Sequence, residues 1–125
     1  MKVYALSNCS TCKKALAYLK STGRDFELKA IRETPPTKPE LRAMLKVYGG
    51  KVGKLFNTSG LDYRALKLGD KLKKMDPEKA IDLLAKNGNL VKRPFLTVGN
   101  TGAVGFDLDE WMDKGIRPLP KPFDA

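Results

Sequence analysis

Two thiols carry the reactive chemistry of this sequence. In "SNCSTCKKAL", residues 7–16, Cys9 and Cys12 lie two residues apart, and the 125-residue chain has no other cysteine and no histidine. A C-x-x-C pair can be a redox couple, half of a metal site, a stapled turn, or two small buried hydrophobes. Composition narrows these choices. The lack of histidine removes Ser-His and Cys-His nucleophile pairs. Haem attachment needs histidine after the second cysteine, and that residue is Lys13. A structural zinc usually takes four Cys or His ligands, so a metal here would have to be shared between two chains. A disulfide closing so short a loop constrains the unfolded chain little, which disfavours a purely structural staple. Inert buried thiols remain the plain alternative to redox chemistry.

The flanking elements favour redox chemistry. "KVYAL" alternates and is rich in strand formers, so residues 2–6 read as a strand. From Ser10 the pattern becomes helical, with Cys12, Ala15, Leu16 and Leu19 on one face and Gly23 as a C-terminal cap. Cys9 therefore falls at the mouth of the first helix, where free N–H groups and the positive end of the dipole favour a thiolate. Lys13 and Lys14 add positive charge. Such a site lowers a cysteine's pKa below its ordinary value. Cys12, one turn on, is placed to attack a mixed disulfide on Cys9, so Cys9 reads as the attacking sulfur and Cys12 as the resolving one. The backbone amides of Ser10 and Thr11 would stabilise negative charge at the helix start.

"VKRPF" is the second constellation. Arg93-Pro94 immediately precedes an expected strand, and X-Pro bonds are the ones that tolerate the cis form. In a thioredoxin-like fold a cis-proline here would face the active cysteine, with Pro94 shaping the opposite wall. Arg93 would bring a guanidinium toward an anionic substrate group or a developing thiolate. The plainer alternative is a surface arginine before an edge-strand proline.

The remaining elements give the frame. Residues 25–31 read as a second strand, which completes a βαβ unit. Thr37 with Glu40 has capping-box spacing for a helix from Lys38 to about Tyr48. Ser59 with Asp62 suggests a second box opening a short helix. Asp76, Pro77 and Gly88 read as N-cap, first helical residue and terminator around an apolar face of Ala80, Ile81 and Leu84. A hairpin is expected with strands 95–99 and 103–106 and its turn at Gly99–Gly102. Asp107 with Glu110 opens a last short helix, and the Pro-rich tail, residues 117–125, reads as extended. The order βαβ, helical block, ββα is that of an α/β thioredoxin-like fold. It is read as one domain over residues 1–125 with a helical insertion at about 37–90.

Charge and hydropathy bound the partners. The net charge of +10 favours acidic partners, yet no motif of a common nucleic-acid module is present, and direct nucleic-acid binding is not expected. Lys67, Lys71, Lys73 and Lys74 cluster on an expected helix and read as a solvated face. The glycines of "YGGKVGKLF" lack the Lys-Ser/Thr ending of a phosphate loop. No apolar run approaches a membrane span and the start lacks a secretory signal, so a cytoplasmic location is expected.

"NCSTCKKAL", "PPTKPEL", "LFNTSGLDYR", "VKRPF" and "VGFDLDEW" together resemble, in order and spacing, the arsenate-reductase-like family over about residues 2–113. That family includes Spx-type transcription regulators and a branch of thioredoxin-fold reductases, which "LFNTSGLDYR" resembles more closely. The resemblance implies a thioredoxin-like fold with an inserted helical subdomain, a nucleophile at Cys9, and an oxyanion-gripping arginine at Arg93. Two further family arginines have no counterpart. Asn57 stands where one is expected, as a candidate hydrogen-bond donor, and "AVGFD" offers none near the other. The second thiol, Cys12, is similar to the Spx arrangement, in which a C-x-x-C disulfide is a redox switch and the partner is the RNA polymerase α subunit. The expectation is a thiol-disulfide oxidoreductase acting on a thiol or disulfide substrate, with glutathione as candidate co-substrate and no tightly bound cofactor. The Spx-like regulator is the alternative.

Overall fold

Alternation in the first strand sets the two faces of the sheet. In the computed structural model, which describes residues 1–119, β1 spans Lys2–Ala5. Val3 and Ala5 point to one face and Tyr4 to the other, and all three are buried. β2 (Glu27–Ala30) pairs parallel with β1. β3 (Phe95–Val98) pairs antiparallel with β1, and β4 (Thr101–Val104) pairs antiparallel with β3. The order is β2-β1-β3-β4, with β2 and β4 at the edges.

Helix α1 (Ser10–Ser21) connects β1 to β2 and buries the stripe Cys12, Ala15 and Leu19. These pack with Val3, Ala5, Leu96 and Ala103 from the sheet and with Trp111 of α6 (Leu108–Asp113). The opposite face carries Tyr4, Phe95 and Val104. It is covered by α2 (Lys38–Val47) through Leu41 and Met44, and by α5 (Pro77–Lys86) through Ala80, Ile81 and Leu84. Burying each of the large aliphatic side chains contributes about 1.5–3 kcal/mol. Between α2 and α5 run a 3₁₀ turn (Val52–Leu55) and the short helices α3 (Leu61–Ala65) and α4 (Leu68–Lys71); a second 3₁₀ turn, Gly88–Leu90, follows α5. All of this helical material lies between β2 and β3 in sequence, and the result is the expected α/β thioredoxin-like arrangement.

Local signals were followed where nothing competed with them. Thr37 and Glu40 form a reciprocal capping box, and Asp76 caps α5 ahead of Pro77. Gly23, just past α1, takes φ +74, which favours glycine. Two expectations need correction. The Ser59–Asp62 box does not form: α3 is capped by Gly60 without a side-chain bond. Asp62 Oδ2 instead accepts from the side-chain amides of Asn87 (2.9 Å) and Asn89 (3.4 Å). The hairpin is tighter than expected, pairing Val98 with Thr101 around the two-residue turn Gly99-Asn100, so its strands are 95–98 and 101–104. Gly88 lies just past the end of α5 as expected, and a Cβ there would collide with the Ile31 carbonyl, so glycine is needed for close backbone approach.

The lysine-rich segment is largely solvent-facing, with Lys67 capping the four-residue α4 at φ 52. Of the tail expected to be extended, residues 117–119 carry no regular structure, and the Leu119 amide donates to Thr22 O at 2.9 Å. The rest of it, residues 120–125, lies outside the described residues. Among the described residues no helix is long and apolar enough to cross a membrane.

Candidate functional site

Cys9 is the N-cap of α1. Its backbone is extended (φ −93, ψ 121), its carbonyl accepts from the Lys13 amide at 3.0 Å, and its Sγ accepts from the Cys12 amide at 3.3 Å. The sulfur thus takes the place that a Ser or Asp oxygen holds in an ordinary cap. Ser10 and Thr11, the first helical residues, have amides with no intrahelical acceptor. Both thiols are free; Cys9 is partly exposed and Cys12 is fully buried.

Burial raises the Cys9 pKa, but hydrogen bonding from Cys12 and the guanidinium of Arg93 together outweigh it and hold the thiol below its ordinary value. Burial pushes the Cys12 thiol up to about 11, with the neighbouring Cys9 adding to the effect. The two thiols are therefore shifted in opposite directions, Cys9 down and Cys12 up.

Arg93 reaches the site because two stretches of chain pair beside the sheet. Phe56 bridges Val91, the Asn57 amide donates to Leu90 O at 2.7 Å, and the Lys92 amide donates to Leu55 O at 2.8 Å. That pairing brings Asn57 alongside Arg93. The Arg93–Pro94 peptide is cis, as the sequence suggested, and the buried Pro94 accepts from the Gly105 amide at 2.9 Å. Arg93 Nη1 is buried and has no hydrogen-bond partner among the described residues.

A cleft of about 520 Å³ collects these groups: Cys9, Thr11, Asn57 and Arg93 all line it. Ser10 is exposed, and neither it nor Pro94 is among the lining residues. The structure adds groups that the sequence did not point to. Lys54 and Lys92 bring positive charge, and Tyr48 and Glu110 form a hydrogen-bonded wall. Tyr48 Oη donates to Glu110 Oε1 at 2.9 Å and accepts from the Val104 amide at 3.0 Å, while Lys114 Nζ lies 3.7 Å from the Glu110 carboxylate. Burial and the Glu110 carboxylate push the Tyr48 hydroxyl up to about 12. No local motif could have announced this wall, because its members come from α2, β4 and α6.

A cysteine capping the first helix of a βαβ unit, faced by the loop ahead of an antiparallel hairpin, is the arrangement of a thioredoxin-like fold. The chain belongs to the ArsC family, whose family model matches residues 4–113. It is 41% identical over 110 residues to YusI of Bacillus subtilis (strain 168), covering 88% of this chain and 93% of that protein. The global transcriptional regulator Spx of Streptococcus pyogenes serotype M1 is 28% identical over 103 residues, covering 82% of this chain and 75% of that one. The crystal structure of an ArsC family related protein from Bacteroides fragilis superposes with a TM-score of 0.83 at 40% identity, covering 90% of this chain and 94% of that one. The expected membership of an arsenate-reductase-like family that includes Spx regulators is borne out.

Proposed function

We propose that the protein is a cytoplasmic thiol-disulfide oxidoreductase. The Cys9 thiolate attacks one sulfur of a substrate disulfide, forming a mixed disulfide and expelling the other half as a thiolate. Cys12 then loses its proton and attacks Cys9 Sγ, releasing the second half as a thiol and leaving a Cys9–Cys12 disulfide. Two external thiols, with glutathione the candidate donor, reduce that disulfide and become a disulfide themselves. The single observation that carries this reading is the separation of the two thiols: Cys9 lowered and accessible, Cys12 raised to about 11 and buried. Once Cys9 is bonded to substrate its charge is gone, and the repulsion that helps keep Cys12 protonated goes with it. Arg93 stabilises the ionised sulfur, the amides of Ser10 and Thr11 receive developing negative charge, Asn57 donates to substrate, and Pro94 supports the far wall. Arsenate fits the site less well, because Arg93 would be alone where the family resemblance implies three guanidiniums.

The test is turnover of glutathione disulfide or bis(2-hydroxyethyl) disulfide. Cys9→Ser is expected to abolish it, and Cys12→Ser to accumulate a mixed disulfide on Cys9, visible by mass spectrometry. Full turnover by Cys9→Ser would refute the mechanism.

A second reading follows from the likeness to Spx. The same thiol pair would then be a switch in a regulator docking on the RNA polymerase α subunit. Retention of that subunit by one redox state only, with negligible disulfide turnover, would favour it.

A further inference from the structure

Beside the Cys9 cleft lies a second depression of about 350 Å³, lined by Arg32, Asp62 and Asn89 among others. Asn57, Ser59 and Arg93 line both, so the two form one trough with Arg93 in the shared wall. Arg32, just beyond the end of β2, is exposed and lines this depression. Its Nε donates to Asn89 Oδ1 at 2.5 Å, which leaves both Nη nitrogens outside that bond. Asn89 is held in turn: its backbone amide donates to Asn87 Oδ1 at 3.0 Å and its side-chain amide to Asp62 Oδ2 at 3.4 Å. The one carboxylate in this lobe is thereby occupied by amides. A Cβ on Gly60 would sit 2.7 Å from Asn57 Nδ2, so glycine there leaves room for the Asn57 side chain between the lobes.

Two guanidiniums thus bracket a polar floor, and one of them has a buried N–H without an acceptor. Buried donors in folded proteins are paired, and this place is filled by the Cys9 sulfur when it is ionised and by an acceptor group of the ligand once that sulfur is bonded to it. A guanidinium fork matches a planar carboxylate. We propose that Arg32 forms a tail subsite selecting low-mass disulfides that carry a carboxylate, with the reacting sulfur at Cys9, an acceptor group at Arg93 and the carboxylate at Arg32. The proposal rests on the thiol-disulfide reading above and gives its substrate class. The volume of the outer lobe suits an amino-acid-sized group rather than a folded protein.

The test is calorimetric binding to the Cys9→Ser protein, so that no chemistry intervenes. The probes are 3,3′-dithiodipropionate (two carboxylates), bis(2-hydroxyethyl) disulfide (neutral) and cystamine (two ammonium groups). The dicarboxylate is expected to bind most tightly. Arg32→Glu should weaken it roughly tenfold or more, the scale of one charge-assisted hydrogen bond, and should improve cystamine; Arg32→Lys should fall between. Arg24→Glu, which makes the same charge change outside the trough, should leave all three affinities within about twofold, well inside that effect. Equal affinities for the three probes, or a dicarboxylate affinity unmoved by Arg32→Glu, would overturn the proposal. Wild-type turnover of the neutral disulfide reads the Cys9 chemistry separately. Its absence, with charge-selective binding intact, would remove the oxidoreductase reading and leave the carboxylate subsite standing.

Discussion

Cys12 gives Cys9 its amide and withholds its thiol. The Cys12 N–H reaches Cys9 Sγ at 3.3 Å, while the Cys12 side chain is 0% exposed within the cluster of Val3, Ala15, Leu19 and Trp111. One residue therefore favours ionisation of the Cys9 sulfur and keeps its own sulfur away from solvent. In the proposed exchange an external disulfide would therefore meet Cys9 first.

The raised Cys12 thiol makes stability pH-dependent on the alkaline side. Unfolding returns it to about 8.5, whereas in the native state it is about 11. Below pH 8.5 both states hold the proton and nothing is lost. Between about 8.5 and 11 the unfolded state releases it and the native state keeps it, so stability falls by roughly 1.4 kcal/mol per pH unit. Cys9, whose native value is lowered, has the opposite sign: its contribution is complete above the unfolded value and is lost as pH falls through the native one. Urea midpoints of the reduced protein at pH 8 and 10.5 should drop more for wild type than for Cys12→Ala.

Arg93 should control reactivity more than stability. Arg93→Ala removes the guanidinium that favours the Cys9 thiolate, and Arg93→Lys keeps a charge without the fork. A charge-assisted hydrogen bond is worth about 1.5–3 kcal/mol. Alkylation of Cys9 by iodoacetamide at pH 7 should slow on the order of tenfold for Arg93→Ala and less for Arg93→Lys. Equal rates for all three proteins would show that Arg93 has no such role.

Gly88 is a packing constraint that holds the site's frame. Adding a methyl drives it into the backbone of Ile31 and Arg32, which cannot give as a flexible side chain can. Gly88→Ala is expected to cost about 2–4 kcal/mol in urea unfolding, as overpacking against main chain does. A loss under 0.5 kcal/mol would mean the 3₁₀ turn shifts freely.

Tyr48 tests the cleft wall. Tyr48→Phe leaves the Val104 amide without its 3.0 Å acceptor and the Glu110 carboxylate without its 2.9 Å donor. The cost should be about 1–3 kcal/mol in thermal or urea unfolding, and Cys9 alkylation at pH 7 should change much less than it does for Arg93→Ala.

The sequence reveals those parts of the molecule that are decided locally. Alternation in β1, the stripe Cys12–Ala15–Leu19, and the caps at Thr37, Asp76 and Asp107 depend on residues a few positions apart, and each appears in the structure. The Ser59–Asp62 spacing failed because two distant amides, Asn87 and Asn89, compete for the same carboxylate. Glu110 failed in the same way as a reciprocal cap partner: Asp107 receives its amide, but its carboxylate goes to Tyr48. The site follows this division. Cys9, Cys12 and Arg93 could be found from motif and position, whereas Lys54, Tyr48, Arg32 and Asn89 become neighbours only after the helical segment folds back on the sheet.

The measurement that bears most directly on all of this is a titration of the Cys9 thiol, by thiolate absorbance near 240 nm or by the pH dependence of alkylation, in the Cys12→Ser protein and in wild type. A midpoint below that of an ordinary cysteine in wild type, moving upward in Arg93→Ala, is the expected result. A wild-type thiol that stays protonated until the ordinary cysteine range or beyond, with no response to Arg93, would contradict it.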